Sequence, residues 1–199
     1  MRRSKQLFTL VTLFIVVVLF LSTNQGTKQT SMPPSTPTPT PGNVLSETTG
    51  STCQAIHVNE SDPQAYLPDH NCTPGVTDPA VTQENIDATI CKSGYTQTVR
   101  PAVVYTNALK KQQITEYGFS DTNMTDYEED HFISLELGGS PKDPKNLWPE
   151  PHPSTNEKDL VENYLHKEVC DGVITLVEAQ QSIANNWYDV YKQIQFSDK

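Results

Sequence analysis

Asp126-Tyr-Glu-Glu-Asp-His-Phe-Ile-Ser-Leu-Glu-Leu-Gly-Gly139, followed by Asn146-Leu-Trp-Pro-Glu-Pro-His-Pro-Ser-Thr-Asn-Glu-Lys158, gathers most of the chemistry-bearing side chains of this 199-residue chain. The run from His131 to Leu137 reads as a short strand with Phe132, Ile133, Leu135 and Leu137 as its apolar content. Gly138-Gly139 permits a tight reversal with positive φ. Asn146-Leu147-Trp148 reads as a second brief extended piece, stopped by Pro149. Ser154 to Glu157 has capping-box spacing, and the helix it opens runs to about Val169. Leu160, Val161, Tyr164, Leu165 and Val169 give that helix one apolar face. Strand, turn, strand and helix make a compact β-β-α unit.

Outward from this unit the chain is mostly helical. Thr175 to Glu178 is a second capping box, opening a helix with Leu176, Ala179, Ile183, Trp187, Val190 and Ile194 on its buried side. On the N-terminal side, Val81 to Cys91 reads as a short helix capped by Thr82, and Thr96 to Tyr105 as extended. Thr106 serves as N-cap for a helix over Asn107 to Tyr117, with Gly118 after it, and Asp121 to Asp130 reads as a loop. The expected class is α+β, a small β-β-α finger in a mostly helical, disulfide-braced domain.

The N-terminal quarter has another character. Residues 1–22 combine a basic flank, Arg2, Arg3 and Lys5, with an apolar run from Leu7 to Leu21, the pattern of an export signal peptide or, if uncleaved, a membrane anchor. Either one places the remainder outside the cytoplasm, extracellular or on the cell surface. Residues 23–50 are rich in Pro, Thr and Ser and read as a disordered linker. Residues 51–199 are the length of one domain, expected to be monomeric. Four cysteines, Cys53, Cys72, Cys91 and Cys170, fit two disulfides in an oxidising compartment, Cys53–Cys72 with Cys91–Cys170 being the preferred pairing. No Cys-x-x-Cys occurs, so a zinc ribbon has little support.

The net charge is −10 and becomes more negative if the export segment is removed. Bulk electrostatics therefore oppose tight nucleic-acid binding, and any such substrate is weakly held. Arg100, Lys110 and Lys111 form the one basic cluster of the mature part and are candidate phosphate contacts.

The central stretch offers chemistry. A neutral imidazole at His131 can take a proton from water. The oxygens of Asp130 and Asn156 suit a hard cation such as Mg²⁺. Asn146 can hydrogen-bond the backbone and fix the loop that carries His131. No serine or cysteine has a placed base, so a serine or cysteine hydrolase has little support.

Asp130-His131, Gly138-Gly139, Asn146-Leu147 and Asn156-x-Lys158 resemble the HNH endonuclease family, whose core is a β-β-α metal finger, here over about residues 127–165. The longer run Tyr127 to Gly139 with Asn146 to Glu150 is similar to an exported bacterial HNH-like group. The resemblance implies a metal-dependent endonuclease cutting DNA or RNA. His131 is then the general base, Asn146 the structural asparagine and Asp130 a ligand of Mg²⁺ or Mn²⁺. Asn156 or its rival His152 completes the metal site, and Lys158 contacts phosphate. Ser134 departs from the family's usual proline, and the usual cysteine knuckles are absent. A non-catalytic extracellular binding or scaffold domain of the same fold is the alternative.

Overall fold

The computed structural model describes residues 53–151 and 157–197. A two-residue antiparallel pair comes first, β1 (Ile56–His57) with β2 (Tyr66–Leu67). A 3-10 turn over Gln83–Ala88 follows, occupying the middle of the expected first helix. Its capping box joins Thr82 to Asn85.

The expected extended run from Thr96 to Tyr105 is instead helical. It forms α1 (Tyr95–Val99) and the first turn of α2 (Val103–Glu116). Gly94 turns the chain at φ 81°. Pro101, which lacks an N–H, splits the run and separates the two helices. Val103 and Val104 looked strand-like but stand exposed on the first turn of α2, so their β propensity does not set the conformation.

The second sheet is also two-stranded and antiparallel. β3 (Tyr127–His131) pairs with β4 (Leu147–Pro151), Asp130 opposite Trp148 and His131 opposite Leu147. The strand therefore lies four residues before its expected place, in what read as an acidic loop. Residues 132 to 135 are continuously buried, and Leu135–Leu137 is a 3-10 turn capped by Ser134. Uninterrupted burial is compatible with a packed turn as well as with a strand. β4 continues through Pro149 and Pro151, as a strand with only one partner allows. The turn cannot accept a larger residue at Gly139, because an added Cβ would lie 1.7 Å from the Ile133 carbonyl oxygen.

α3 (Glu157–Cys170) and α4 (Leu176–Ser197) pack against each other, α4 being interrupted at Asn186. The expected box at the start of α4 is present, with Thr175 N and Glu178 N each donating to the other's side chain. On α3 the buried face is Lys158, Val161, Leu165 and Val169, while Leu160 and Tyr164 are exposed. Phe132, Trp148, Val161, Ile183 and Trp187 lie in one core. Each large apolar side chain there contributes on the order of 1.5–3 kcal/mol.

The bonds Cys53–Cys72 and Cys91–Cys170 brace this core. The second ties the turn before α1 to the end of α3. The result is a mostly helical α+β domain with small antiparallel sheets and two disulfides. No helix among the described residues is long and apolar enough to cross a membrane. The transmembrane and membrane-partner expectations are corrected accordingly; residues 1–22, on which they rested, lie outside the described residues.

Candidate functional site

The end of β3 is fixed by one asparagine. Asn146 Nδ2 donates to the carbonyls of Ile133 and Ser140, both at 3.0 Å, and its Oδ1 accepts from Ile133 N at 2.9 Å. Asn146 is fully buried, so each of these bonds replaces one otherwise lost with water. The loop it holds presents the Pro141 carbonyl to His131 Nε2 at 3.1 Å. A carbonyl only accepts, so Nε2 carries the hydrogen and Nδ1 keeps its lone pair. Burial moves the His131 pKa below its usual 6.5, against the opposing pull of the Pro141 carbonyl and Asp130, so the ring is neutral at pH 7.

Behind His131 lies a buried ionic knot. Lys158 Nζ contacts Asp130 Oδ1 at 3.1 Å and Oδ2 at 2.9 Å, His131 O at 3.0 Å and Glu162 Oε1 at 2.5 Å. Trp148 Nε1 donates to Asp130 Oδ2 at 3.2 Å. Burial works against the Lys158 charge, but Asp130, Glu162 and Glu150 outweigh it and hold the ammonium above its ordinary range. Burial pushes Glu150 well above the usual carboxylate range, and Glu162 up to about 7. One ammonium thus serves a group of acids that do not all ionise together.

A cleft opens on this wall, lined by Arg100, Glu128, Glu129, Asp130, His131, Ser134, Leu135, Glu136, Asp159 and Glu162. Neither carboxyl oxygen of Glu129 has a hydrogen-bond partner among the described residues, and both are buried. Burial pushes its pKa up to about 8, with Asp130 adding to the shift and Lys110 opposing it. At pH 7 Glu129 is mostly a neutral acid in the same wall as a neutral imidazole.

The expected cation site is corrected by these contacts. Both Asp130 oxygens are engaged by Lys158 and one also by Trp148, so a buried ammonium already stands where Mg²⁺ or Mn²⁺ was expected. Asn156 and His152, its expected companions, lie outside the described residues. Among the described residues, the group with ligand atoms close enough for one metal is Cys91, His166 and Cys170, within 4.8 Å of one another. A Cys₂His set is typical of structural zinc and not of Mg²⁺ or Mn²⁺. It gives the domain a candidate capacity to bind metal. The two sulfurs are joined to each other as described, so ligation requires thiolates in place of the bond.

The predicted phosphate contacts scatter. Lys158 is fully buried and bonded to carboxylates, which removes it from any surface phosphate. Lys110 donates to the carbonyls of Met124 and Tyr127. Lys111 lines a different hollow with Ile114 and Met124. Arg100 alone of the four lines the His131 cleft.

The sequence reading missed Glu129 as an acid and Lys158 as an internal cation. Glu129 shares strand parity with His131, which was a usable signal once the strand was placed correctly. Lys158 stands at helical spacing from Val161 and Leu165, but its charge argued against burial. Comparison with protein-family models, curated proteins and solved structures finds no match for this chain.

Proposed function

We propose that this domain hydrolyses or transesterifies phosphodiester bonds in nucleic acid, with His131 as general base and Glu129 as general acid. One observation carries the reading: His131 is buried with Nε2–H committed to Pro141, and it lines a cleft together with Glu129, whose burial holds its carboxyl well above the usual range. In the reaction Nδ1 takes the proton of the attacking hydroxyl or water. Glu129 gives its proton to the departing oxygen, and Arg100 faces the phosphoryl charge. Base and acid together supply what neither does alone, and Asn146 positions the loop that fixes the imidazole. The order β3, β4, α3 with Asn146 behind His131 supports the HNH resemblance as a proposal for the fold. The metal-dependent form of that chemistry is not carried forward, because Lys158 holds Asp130. RNA is the favoured substrate, since a 2′-hydroxyl held next to its phosphate supplies an intramolecular nucleophile.

The full chain is tested on single-stranded RNA and on plasmid DNA, with and without a chelator. RNA cleavage that persists with chelator and falls by about 10²-fold or more in His131→Ala is expected. Equal cleavage by wild type and His131→Ala, or none on any substrate, contradicts the proposal. The second result would favour the non-catalytic binding domain, which the carboxylates of Glu128, Glu136, Asp159 and Glu162 around a single Arg100 also suit.

A further inference from the structure

We propose that Cys91, Cys170, His166 and Glu136 form a thiol-gated zinc site, closed while the Cys91–Cys170 bond exists and opened when a dithiol reduces it. This does not rest on the phosphodiesterase reading, although Glu136 borders both sites.

Geometry is the first support. One sulfur from each cysteine and a ring nitrogen of His166 all lie within 4.8 Å of one another. A tetrahedral zinc with bonds of about 2.0–2.3 Å spaces its donors roughly 3.3–3.8 Å apart, so once the S–S bond opens the sulfurs part by roughly 2 Å while His166 and Glu136 close on them. Two of the ligands, His166 and Cys170, sit four residues apart on α3 and share one side of it. Cys91 comes from the turn before α1, and Glu136 from the 3-10 turn after β3.

Two further observations point to a ligand. His166 Nε2 lies 3.0 Å from the Ile90 carbonyl, so it donates its hydrogen there and Nδ1 holds the lone pair. Metal-bound histidines hand their second N–H to a carbonyl or carboxylate in this way, which fixes the tautomer before the ion arrives. Glu136 Oε2 lies 4.0 Å from that Nδ1, and this oxygen is buried with no hydrogen-bond partner among the described residues. An unpartnered buried carboxylate oxygen is costly, and a cation at this point would satisfy it. A hollow lined by Cys91, Lys92, Tyr95, Glu136 and His166 gives the ion a path in.

The chemistry balances. A dithiol gives up two electrons and two protons and forms its own S–S bond; the Cys91–Cys170 bond breaks to two thiols. Zn²⁺ then displaces both thiol protons to solvent and gains two Zn–S bonds, with His166 Nδ1 and Glu136 Oε2 as the third and fourth donors. The covalent tie between residues 79 apart in sequence becomes a metal tie at the same place. Glu136 also lines the His131 cleft, so the exchange takes one carboxylate out of that wall.

The test uses the full chain reduced anaerobically with a dithiol, desalted, and titrated with Co²⁺ and then Zn²⁺. The expected result is one ion per chain, a thiolate-to-cobalt charge-transfer band, and release of about two protons per Zn²⁺. Untreated oxidised protein should show no such band. The reduced Cys53→Ala/Cys72→Ala protein should bind like wild type, whereas His166→Ala and Glu136→Gln should weaken binding by about 10-fold or more. Equal binding by oxidised protein, no stoichiometric binding after reduction, or binding unchanged in His166→Ala overturns the proposal. Circular dichroism closes the remaining route: if reduction unfolds the chain, Zn²⁺ must refold it, and a chain that stays unfolded with Zn²⁺ overturns the proposal too.

Discussion

His131 and His166 are held in the same way and placed in different company. Each gives its Nε2 hydrogen to a backbone carbonyl, Pro141 at 3.1 Å and Ile90 at 3.0 Å, and each therefore keeps its Nδ1 lone pair. His131 is 7% exposed, with Glu129 in the same wall and the Lys158 ammonium behind it. His166 is half-buried between two sulfurs and a carboxylate oxygen. The backbone decides which nitrogen is free, and the neighbours decide what it takes. Neutral acids and an internal cation beside His131 suit proton transfer. Sulfur and an unpartnered carboxylate beside His166 suit a soft-to-borderline metal.

The contrast breaks most easily at Lys158. Lys158→Met should destabilise the domain by about 3–5 kcal/mol in urea unfolding, because Asp130 would stay buried without its cation. A loss under about 1 kcal/mol would show that the knot does not define the His131 wall. Asn146→Ala comes next. It removes three hydrogen bonds, two of them buried, and leaves the Ile133 and Ser140 groups unpaired, for a cost of about 2–4 kcal/mol. RNA cleavage should fall with it even where the variant is fully folded, since the Pro141 carbonyl loses its support. The basic residues sharpen the contrast with the smallest effect. Arg100→Ala should raise KM for RNA several-fold, and Lys111→Ala should change it by less than about twofold, because surface charges off the cleft contribute little.

Much of the framework could be read from the chain. The capping box at Thr175 and Glu178, and the spacing of Leu176, Ala179, Ile183 and Trp187, are local signals that tertiary contacts reinforced. The disulfide pairing was accessible because four cysteines allow only three arrangements. The strand was misplaced because Phe132 to Leu135 is buried without alternation, and a packed turn stabilised by Asn146 gives the same apolar run as a strand. His131, Asn146 and Arg100 were named from their types and spacing. The partners of His131 and Asn146 were not, since Pro141, Ile133 and Ser140 act through backbone atoms that have no sequence signature. Lys158 is the plainest case. Lysine is almost never fully buried unless paired, and the pairing depends on Asp130 and Glu162 meeting it in three dimensions.

The central claim is that a neutral base and a neutral acid share the His131 cleft, and the pH–rate profile of RNA cleavage tests it most directly. His131 must be deprotonated, so the rate should rise with pH through a value below the ordinary 6.5. Glu129 must be protonated, so the rate should fall again near pH 8. Wild type should give this bell, and Glu129→Gln should be about 10²-fold slower at pH 7 with the alkaline limb gone. An alkaline limb that survives unchanged in Glu129→Gln, or a rate that climbs steadily past pH 9 in wild type, would contradict the account.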